Sequence, residues 1–273
     1  MVIRDGNLNK FVFCAPSNPG ASIWRYMDLP KYISMLSKRA LFFANTRSFK
    51  DDPFEGSWPA KILEFRRQTS KKALEDLYTS ALKKKPQEKW SFMPIDEVLE
   101  MQEKYRSWEK DYTFVNCWHL GEKESFAMWK IYGVKKKAIA IRTTFSKLEK
   151  EIVSSPSLAG FGSATDFLSI GLVRYGDFGT LDEPLYQLPF MRAFLKRENF
   201  SYENEVRVVL GKMSGRVIPP GYLIRVNLDD LIQEVRVSPG EDKWFIDVVN
   251  DITVRYGFKF DILKTELDEM PLF

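Results

Sequence analysis

ENEVRVVL (203–210), GYLIRVN (221–227) and QEVRVS (233–238) decide the fold. Each is a short run carrying Val, Ile, Leu or Tyr, so the three read as successive strands. FKFDIL (258–263) reads as the last strand. The segment between them is helical. Ser238 and Glu241 have capping-box spacing, and Pro239 suits a first helical position. Trp244, Phe245, Val248, Val249 and Ile252 then make one apolar stripe, which Gly257 ends.

Upstream the same two patterns alternate. FVFC (11–14), IWRY (23–26), LFFA (41–44), TFVNCWH (113–119), KKAIAIRTT (136–144) and residues 169–176 read as strands. LPKYISMLSKR (29–39), ESFAMWKIY (124–132, closed by Gly133), residues 145–153 and residues 187–198 read as helices. The stretch 154–166, with Gly160 and Gly162, reads as a loop. Strands and helices do not follow a regular βαβ beat. The expected class is α+β, with a mixed or antiparallel sheet in a single domain, 1–273. Residues 61–111 differ: they carry 12 Lys/Arg and 10 Asp/Glu and read as two charged helices broken near Pro86 and Pro94. We expect a helical insertion there, as a lid, spacer or partner surface, with Lys83, Lys84 and Lys85 as a solvated helix end.

Composition bounds the function. The chain has 273 residues, 44% of them hydrophobic, with 41 Lys/Arg against 37 Asp/Glu and a net charge of +4. That excludes disordered and collagen-like chains and does not argue for a dedicated nucleic-acid binder. No run approaches 18 apolar residues, so no membrane span is expected. Cys14 and Cys117 lack metal-site spacing, and so few cysteines fit a cytoplasmic location. One histidine, His119, leaves little for a catalytic triad or a zinc site.

Four groups of residues can carry chemistry. In FSYENEVRVVL (200–210), strand parity puts Glu203, Glu205, Arg207 and Val209 on one face and Tyr202, Val206, Val208 and Leu210 on the core face. The charged row is either solvated surface or an acid/base site in a cleft. In FKDDPFEG (49–56), Asp51, Asp52 and Glu55 either shape a turn or offer hard oxygen ligands to a divalent metal. In NCWH (116–119) and ESFAMWKIYG (124–133), Trp118, His119, Ser125, Met128, Trp129 and Tyr132 are either core or a wall for a flat ring. Arg25, between Trp24 and Tyr26, suits bidentate phosphate recognition or a surface ion pair.

The ordered set WRYM, LFFANTRSFKDDPFEG, CWHL…ESFAMWKIYG…AIAIRTT, VRYGDF and K…FSYENEVRVVL resembles the bacterial domain-of-unknown-function family 2971, over about residues 22–263. More distantly, the order of Arg25, the middle segment and Glu203-Asn-Glu205 resembles the ADP-ribosyltransferase superfamily. That resemblance implies NAD as substrate and no metal. It implies Glu205 as the catalytic glutamate with Glu203 as its partner, and Arg25, Trp118, His119, Ser125, Trp129 and Tyr132 around the cofactor. It further implies a protein or nucleic-acid acceptor and a toxin or phage-defence role. The chain departs from the superfamily pattern in having no Ser-Thr-Ser on a strand; Asn45-Thr46-Arg47-Ser48 or Ser125 would substitute. The alternatives are a metal-dependent nuclease or phosphoesterase using Asp51, Asp52 and Glu55 together with Glu203 and Glu205, and a non-catalytic ligand-binding or sensor module.

Overall fold

A computed structural model describes residues 2–5, 8–49, 52, 54–84, 91–133, 137–160, 166–179, 190–212 and 218–269. In chain order, β1 (Val2–Asp5), β2 (Leu8–Phe13) and β3 (Ser22–Asp28) lead into α1 (Leu29–Lys38) and β4 (Ala40–Asn45). Then come α2 (Ala60–Lys84), α3 (Ile95–Asp111), β5 (Thr113–Leu120), α4 (Phe126–Tyr132), β6 (Ala138–Thr144) and α5 (Phe145–Val153). The second half holds β7 (Phe167–Leu172), β8 (Arg174–Gly176), β9 (Leu195–Arg197), β10 (Glu205–Gly211), β11 (Gly221–Arg225), α6 (Leu228–Leu231), β12 (Glu234–Val237), α7 (Lys243–Arg255) and β13 (Ile262–Leu263). Among the described residues eleven strands make one mixed sheet, so the class is α+β; β8 and β9 pair separately.

The sheet order is β1-β2-β7-β10-β5-β3-β6-β12-β13, antiparallel except at β2–β7 and β12–β13. Strand β5 forks this order. One of its edges pairs with β10 from Thr113 to His119. The other is shared: β3 takes His119 and Leu120, while β4 takes Phe114 and Val115. Arg25 and Asn116 fill the gap between the two branches. Arg25 donates to the carbonyls of Cys117 (3.2 Å) and Phe42 (3.4 Å), and Asn116 donates to that of Phe42 (2.9 Å).

Parity then divides the two faces. Ile23, Met27, Phe114, Trp118, Ile139, Ile141, Val206, Val208, Leu210, Val235 and Val237 point to one side and pack with residues of α1, α5, α6 and α7 in the main core. Tyr32 on α1 hydrogen-bonds Thr253 on α7 at 2.8 Å across that core. The opposite side is unusual for a buried surface. It carries Glu205 and Arg207 on β10, Cys117 and His119 on β5, Trp24 and Tyr26 on β3, Arg142 on β6, and Glu234 and Arg236 on β12. Helix α4 covers its middle: Met128 and Trp129 pack on Trp24, Tyr26, Ala138 and Ala140.

Several local expectations are corrected. Of the helix expected at 187–198, Met191–Phe194 form one 3-10 turn and Leu195–Arg197 form β9; residues 187–189 lie outside the described residues. Strand β10 begins at Glu205, not Glu203. Asn204 takes a left-handed conformation (φ 39°) that ends the 3-10 segment Glu198–Glu203, so Tyr202 is exposed rather than in the core. Ser238 and Glu241 do meet (3.2 Å) but cap no helix: α7 starts at Lys243, after Asp242. Glu241 instead binds Lys137, whose ammonium also lies over the exposed Trp244 ring. Gly133 has φ −98°, not a left-handed value; the Trp129 carbonyl, which accepts its N–H at 2.7 Å, leaves no room for a Cβ. The last strand shrinks to Ile262–Leu263, and the strand expected at 169–176 divides at Val173 into β7 and β8. The loop expected at 154–166 includes a 3-10 turn at Pro156–Gly160, and residues 161–165 lie outside the described residues. Helices α2 and α3 match the charged pair expected at 61–111, while Lys85 and Pro86 lie outside the described residues.

Candidate functional site

The β10 end of the polar face holds a buried charged cluster. Arg207, with a side chain 1% exposed, is its fixed point. It donates to both carboxylate oxygens of Glu205 (Nε to Oε2 2.6 Å, Nη2 to Oε1 3.0 Å), to Glu55 Oε1 (2.5 Å) and to the Ala193 carbonyl (2.6 Å). Such a fork holds a carboxylate in one orientation. Lys196, from β9, lies among three carboxylates: Glu203 at 2.5 Å, Glu205 at 3.0 Å and Glu55 at 3.5 Å. Its ammonium also sits 4.8 Å from the centre of the Phe200 ring. Glu203 leaves the strand face at Asn204, yet its carboxylate returns to this cluster.

The two β10-end carboxylates have opposite acidities. Burial raises Glu203, a hydrogen bond and repulsion from Glu205 raise it further, and Lys196 only partly offsets this; its carboxyl is pushed up to about 8. Burial also works against ionised Glu205, but Arg207, the hydrogen bond from Glu203 and Lys196 hold it well below the usual carboxylate range. Glu203 is thus the carboxyl that takes up a proton first, next to a Glu205 that stays ionised. Burial lowers Lys196, but Glu205, Glu55 and Glu203 more than reverse this and keep it charged.

His119 stands directly opposite Glu205 in the register. Its Nδ1 meets the Glu203 carbonyl at 2.7 Å. A carbonyl only accepts, so Nδ1 carries the hydrogen and Nε2 is left as an acceptor. Burial lowers the His119 pKa, so the ring is neutral at pH 7. Tyr26 stacks edge-on to His119 (6.3 Å) and face-on to the half-exposed Tyr132 (6.5 Å, 17°). Burial, then Cys117, Glu205 and Glu203, raise the Tyr132 hydroxyl, so it stays protonated. Tyr175 accepts the Glu205 backbone N–H at 2.9 Å, and burial and Glu205 keep it protonated too.

The remaining sequence candidates fall in three groups. Trp118 lies on the opposite face, in the main core, with Nε1 on Asn116 at 2.6 Å. It lines no common wall with Glu205, because neighbouring residues of β5 point to opposite sides. Arg25 shares that parity and lies 5.9 Å from the Trp118 ring centre, with its guanidinium spent on carbonyls in the fork. Burial lowers its pKa, against the pull of Cys117 and Tyr132. Ser125 caps α4, accepting from Met128 N at 3.4 Å, and its own N–H donates to Tyr26 at 2.7 Å. Trp129 is buried, with Nε1 on Glu124 at 2.7 Å. Asn45 caps the 3-10 turn Thr46–Ser48, and Arg47 pairs with Asp111, so this segment supports the loop rather than the cluster.

Among the acidic-loop candidates, Glu55 belongs to the cluster, Asp52 pairs with Arg197 at 2.7 Å, and Asp51 lies outside the described residues. Among the described residues no group of three or more His, Cys, Asp or Glu side chains is placed to hold a metal ion. The cluster interposes cations between its carboxylates. Lys196 does not emerge as a functional residue from the sequence because 187–198 reads as a helix; that reading hides a three-residue strand whose partner, β8, is equally short. No helix among the described residues is long and apolar enough to cross a membrane.

The other end of the face holds a second charged group. Arg236 binds Glu234 (2.8 Å), Glu124 (2.9 Å) and Glu266 (2.9 Å), and Arg142 binds Glu234 at 2.8 Å. It clamps α4 and the residues around Glu266 to the sheet, with Trp24 beneath both guanidiniums.

No protein-family model matches the chain, and no curated protein does. The resemblance to family 2971 therefore rests on its motifs. Among solved structures, that of Thermus sp. 2.9 DarT in complex with ADP-ribosylated ssDNA is similar to the chain with a TM-score of 0.39 and 10% identity, over 94% of this chain and 99% of that one.

Proposed function

We propose that this chain is an NAD-using enzyme of the ADP-ribosyltransferase kind, with Glu205 and Glu203 as its reacting pair. The observation that carries the reading is that two carboxyls of split acidity meet on the one Lys196 ammonium, at 2.5 and 3.0 Å, beside a neutral histidine and a half-exposed tyrosine. Titratable neighbours pushed apart in this way mark acid/base assignments. Glycosyl transfer from NAD needs a fixed anion where the ribose gains oxocarbenium character, and a second carboxyl that can exchange a proton. Glu205, held by the Arg207 fork, suits the first role. Glu203, the most exposed of the three cluster carboxylates, suits the second. Tyr132 offers an accessible ring to nicotinamide, in place of the buried Trp118 and Trp129.

The test is nicotinamide release from NAD⁺, followed by chromatography, alongside thermal stabilisation by NAD⁺. Wild type should do both. Glu205→Gln should keep the stabilisation and lose roughly 10²–10³-fold in turnover. No stabilisation and no nicotinamide at millimolar NAD⁺ would refute the reading. One observation favours a second reading, a binding module whose carboxylates are structural: Arg207 occupies both oxygens of Glu205. In that case NAD⁺ or another nucleotide would stabilise wild type and Glu205→Gln equally, with no product.

A further inference from the structure

The hairpin of α2 and α3 is thinly packed for its size. Of the 25 residues of α2 only Ile62 is buried, and on α3 the buried residues among those described are Leu99 and Glu109. Long helices draw most of their stability from packing an apolar face, not from propensity. The rows along α2 show which face is left over. Residues four apart share a face. Ile62, Arg66, Ser70, Leu74 and Tyr78 are the buried or half-buried row turned to α3, and the Tyr78 hydroxyl donates to the Met93 carbonyl at 2.9 Å. The row Leu63, Arg67, Lys71 and Glu75 lies to one side, where Arg67 meets Glu103 of α3 at 3.9 Å. The row Phe65, Thr69, Ala73 and Leu77 lies to the other. On α3, Met101 and Trp108 are seven residues apart and turned away from Glu103, so they share this second flank. Phe65 is 48% exposed, Leu77 61%, Met101 60% and Trp108 49%. Four large apolar side chains on one flank, with charge at its margins, have the make-up of an interface.

Charge selects the occupant. Helix α2 carries seven Lys/Arg and three Asp/Glu, a net +4, and α3 carries three and six, a net −3. A partner of one sign, such as a nucleic acid, meets repulsion from one of the two helices. A second copy turned about a two-fold axis parallel to the helices meets none, because α2 then lies across the partner's α3, antiparallel and of opposite sign. An axis across the helices would set α2 on α2, +4 against +4. We infer that this flank is a homodimer interface, in which two hairpins close into a four-helix bundle with each α2 across the partner's α3. The levels of the residues agree. The contacts Arg67–Glu103 and Tyr78–Met93 set Phe65 level with the α3 turn between Met101 and Trp108. The axis keeps that level, so Phe65 enters between the partner's Met101 and the partner's Trp108. At the rim the exposed Lys72 falls beside the partner's Glu97.

Sedimentation velocity of the full chain, from about 1 to 100 μM, tests this. A monomer–dimer equilibrium that weakens with salt is expected. Phe65→Gln combined with Met101→Gln should weaken it about a hundredfold with the far-UV circular dichroism unchanged, since both side chains are exposed and Gln is a good helix former. Lys72→Glu and Glu97→Lys should each weaken it about tenfold, and an equimolar mixture of the two should regain wild-type affinity, because their heterodimer has opposite charges at both rim pairs. Tighter dimers of Lys72→Glu would mean that α2 lies on α2 and would overturn the inference. A wild type that stays monomeric at about 100 μM in low salt, or a dimer indifferent to the Phe65 and Met101 substitutions, would overturn it too. So would a monomer that binds a single-stranded or duplex oligonucleotide and loses it on Lys72→Glu, which would assign the hairpin to nucleic acid.

Discussion

Replacing Arg207 by methionine removes the hydrogen-bond donors that hold Glu205 and Glu55 while keeping similar bulk. Four contacts disappear: two to Glu205, one to Glu55 and one to the Ala193 carbonyl. Lys196 stays within 3.0 Å of Glu205 and 3.5 Å of Glu55, but it already serves Glu203. The variant thus buries three carboxyl groups, with Glu205 ionised, around one ammonium. Removing one partner of a buried pair costs roughly 3–5 kcal/mol. At about 2–3 °C per kcal/mol for a chain of this size, Tm should fall by about 6–15 °C at pH 7.5. The sign of the pH effect follows from the same groups. In wild type Glu205 titrates below its unfolded value, so it contributes stability that is lost as pH falls into the acid range. In the variant Glu205 loses the guanidinium that holds its carboxyl down while burial still raises it, so acid costs the variant less than wild type. The Tm gap should therefore narrow steadily between pH 7.5 and pH 5, read by circular dichroism melts of both proteins. A gap below about 2 °C at pH 7.5, or one that widens in acid, would refute the reasoning.

Glu205→Gln leaves two carboxylates with two cations, so its unfolding free energy should drop by less than about 2 kcal/mol despite the complete burial of the site, as measured by chemical denaturation. Glu203 titrates at about 8 in the folded protein against an ordinary value near 4.5, so the native state binds more protons between those limits. Its contribution is complete in acid, falls as pH rises from about 4.5 and is gone once pH has passed about 8, so wild-type Tm should decline across that window with a slope that Glu203→Gln lacks. Asn204→Ala should cost about 1–2 kcal/mol from its left-handed φ of 39° and lose the 2.7 Å bond to the Leu120 carbonyl; Asn204→Gly should recover the conformational part. Equal stabilities for the two Asn204 variants would remove backbone strain as the cause.

Period-two and period-3.6 patterns carry most of this fold. The strands at 203–210, 221–227 and 233–238 are legible because their alternate residues face one continuous core, and α2 and α3 because they combine charge with spacing. Patterns of three residues are too short to read, and β9 with its Lys196 is lost there. Asn204 shows a second limit: one residue of left-handed backbone breaks the alternation between Glu203 and Glu205, so parity assigns Glu203 to the right neighbourhood by the wrong route. Pairing across the sheet is a third. Glu205 and His119 are directly opposed only because β10 and β5 are neighbours in a particular register, and Trp118 is turned away by the same register. Nothing local to either strand states it. Glu55 joins the cluster from 152 residues away through contact with Arg207.

The fork of β5 also sets which parts of the chain may change length. Asn45 and Phe114 are paired across neighbouring strands, so the chain leaves the sheet at one point and rejoins it beside that point. Asn45 Nδ2 on the Asp111 carbonyl (2.7 Å) and Thr46 Oγ1 on the Lys110 carbonyl (2.8 Å) fasten this neck. Excursions from a closed neck add little loop entropy, so the distal turns of α2 and α3 can be shortened, extended or replaced by a fused protein at small cost to the sheet. The proximal stretch has no such freedom. Asp52 and Glu55 run from the neck into the charged cluster, and Glu109 returns from α3 to receive the Phe190 N–H. Among descendants of this gene, insertions and deletions should accumulate at the tip of the hairpin and stop short of its root.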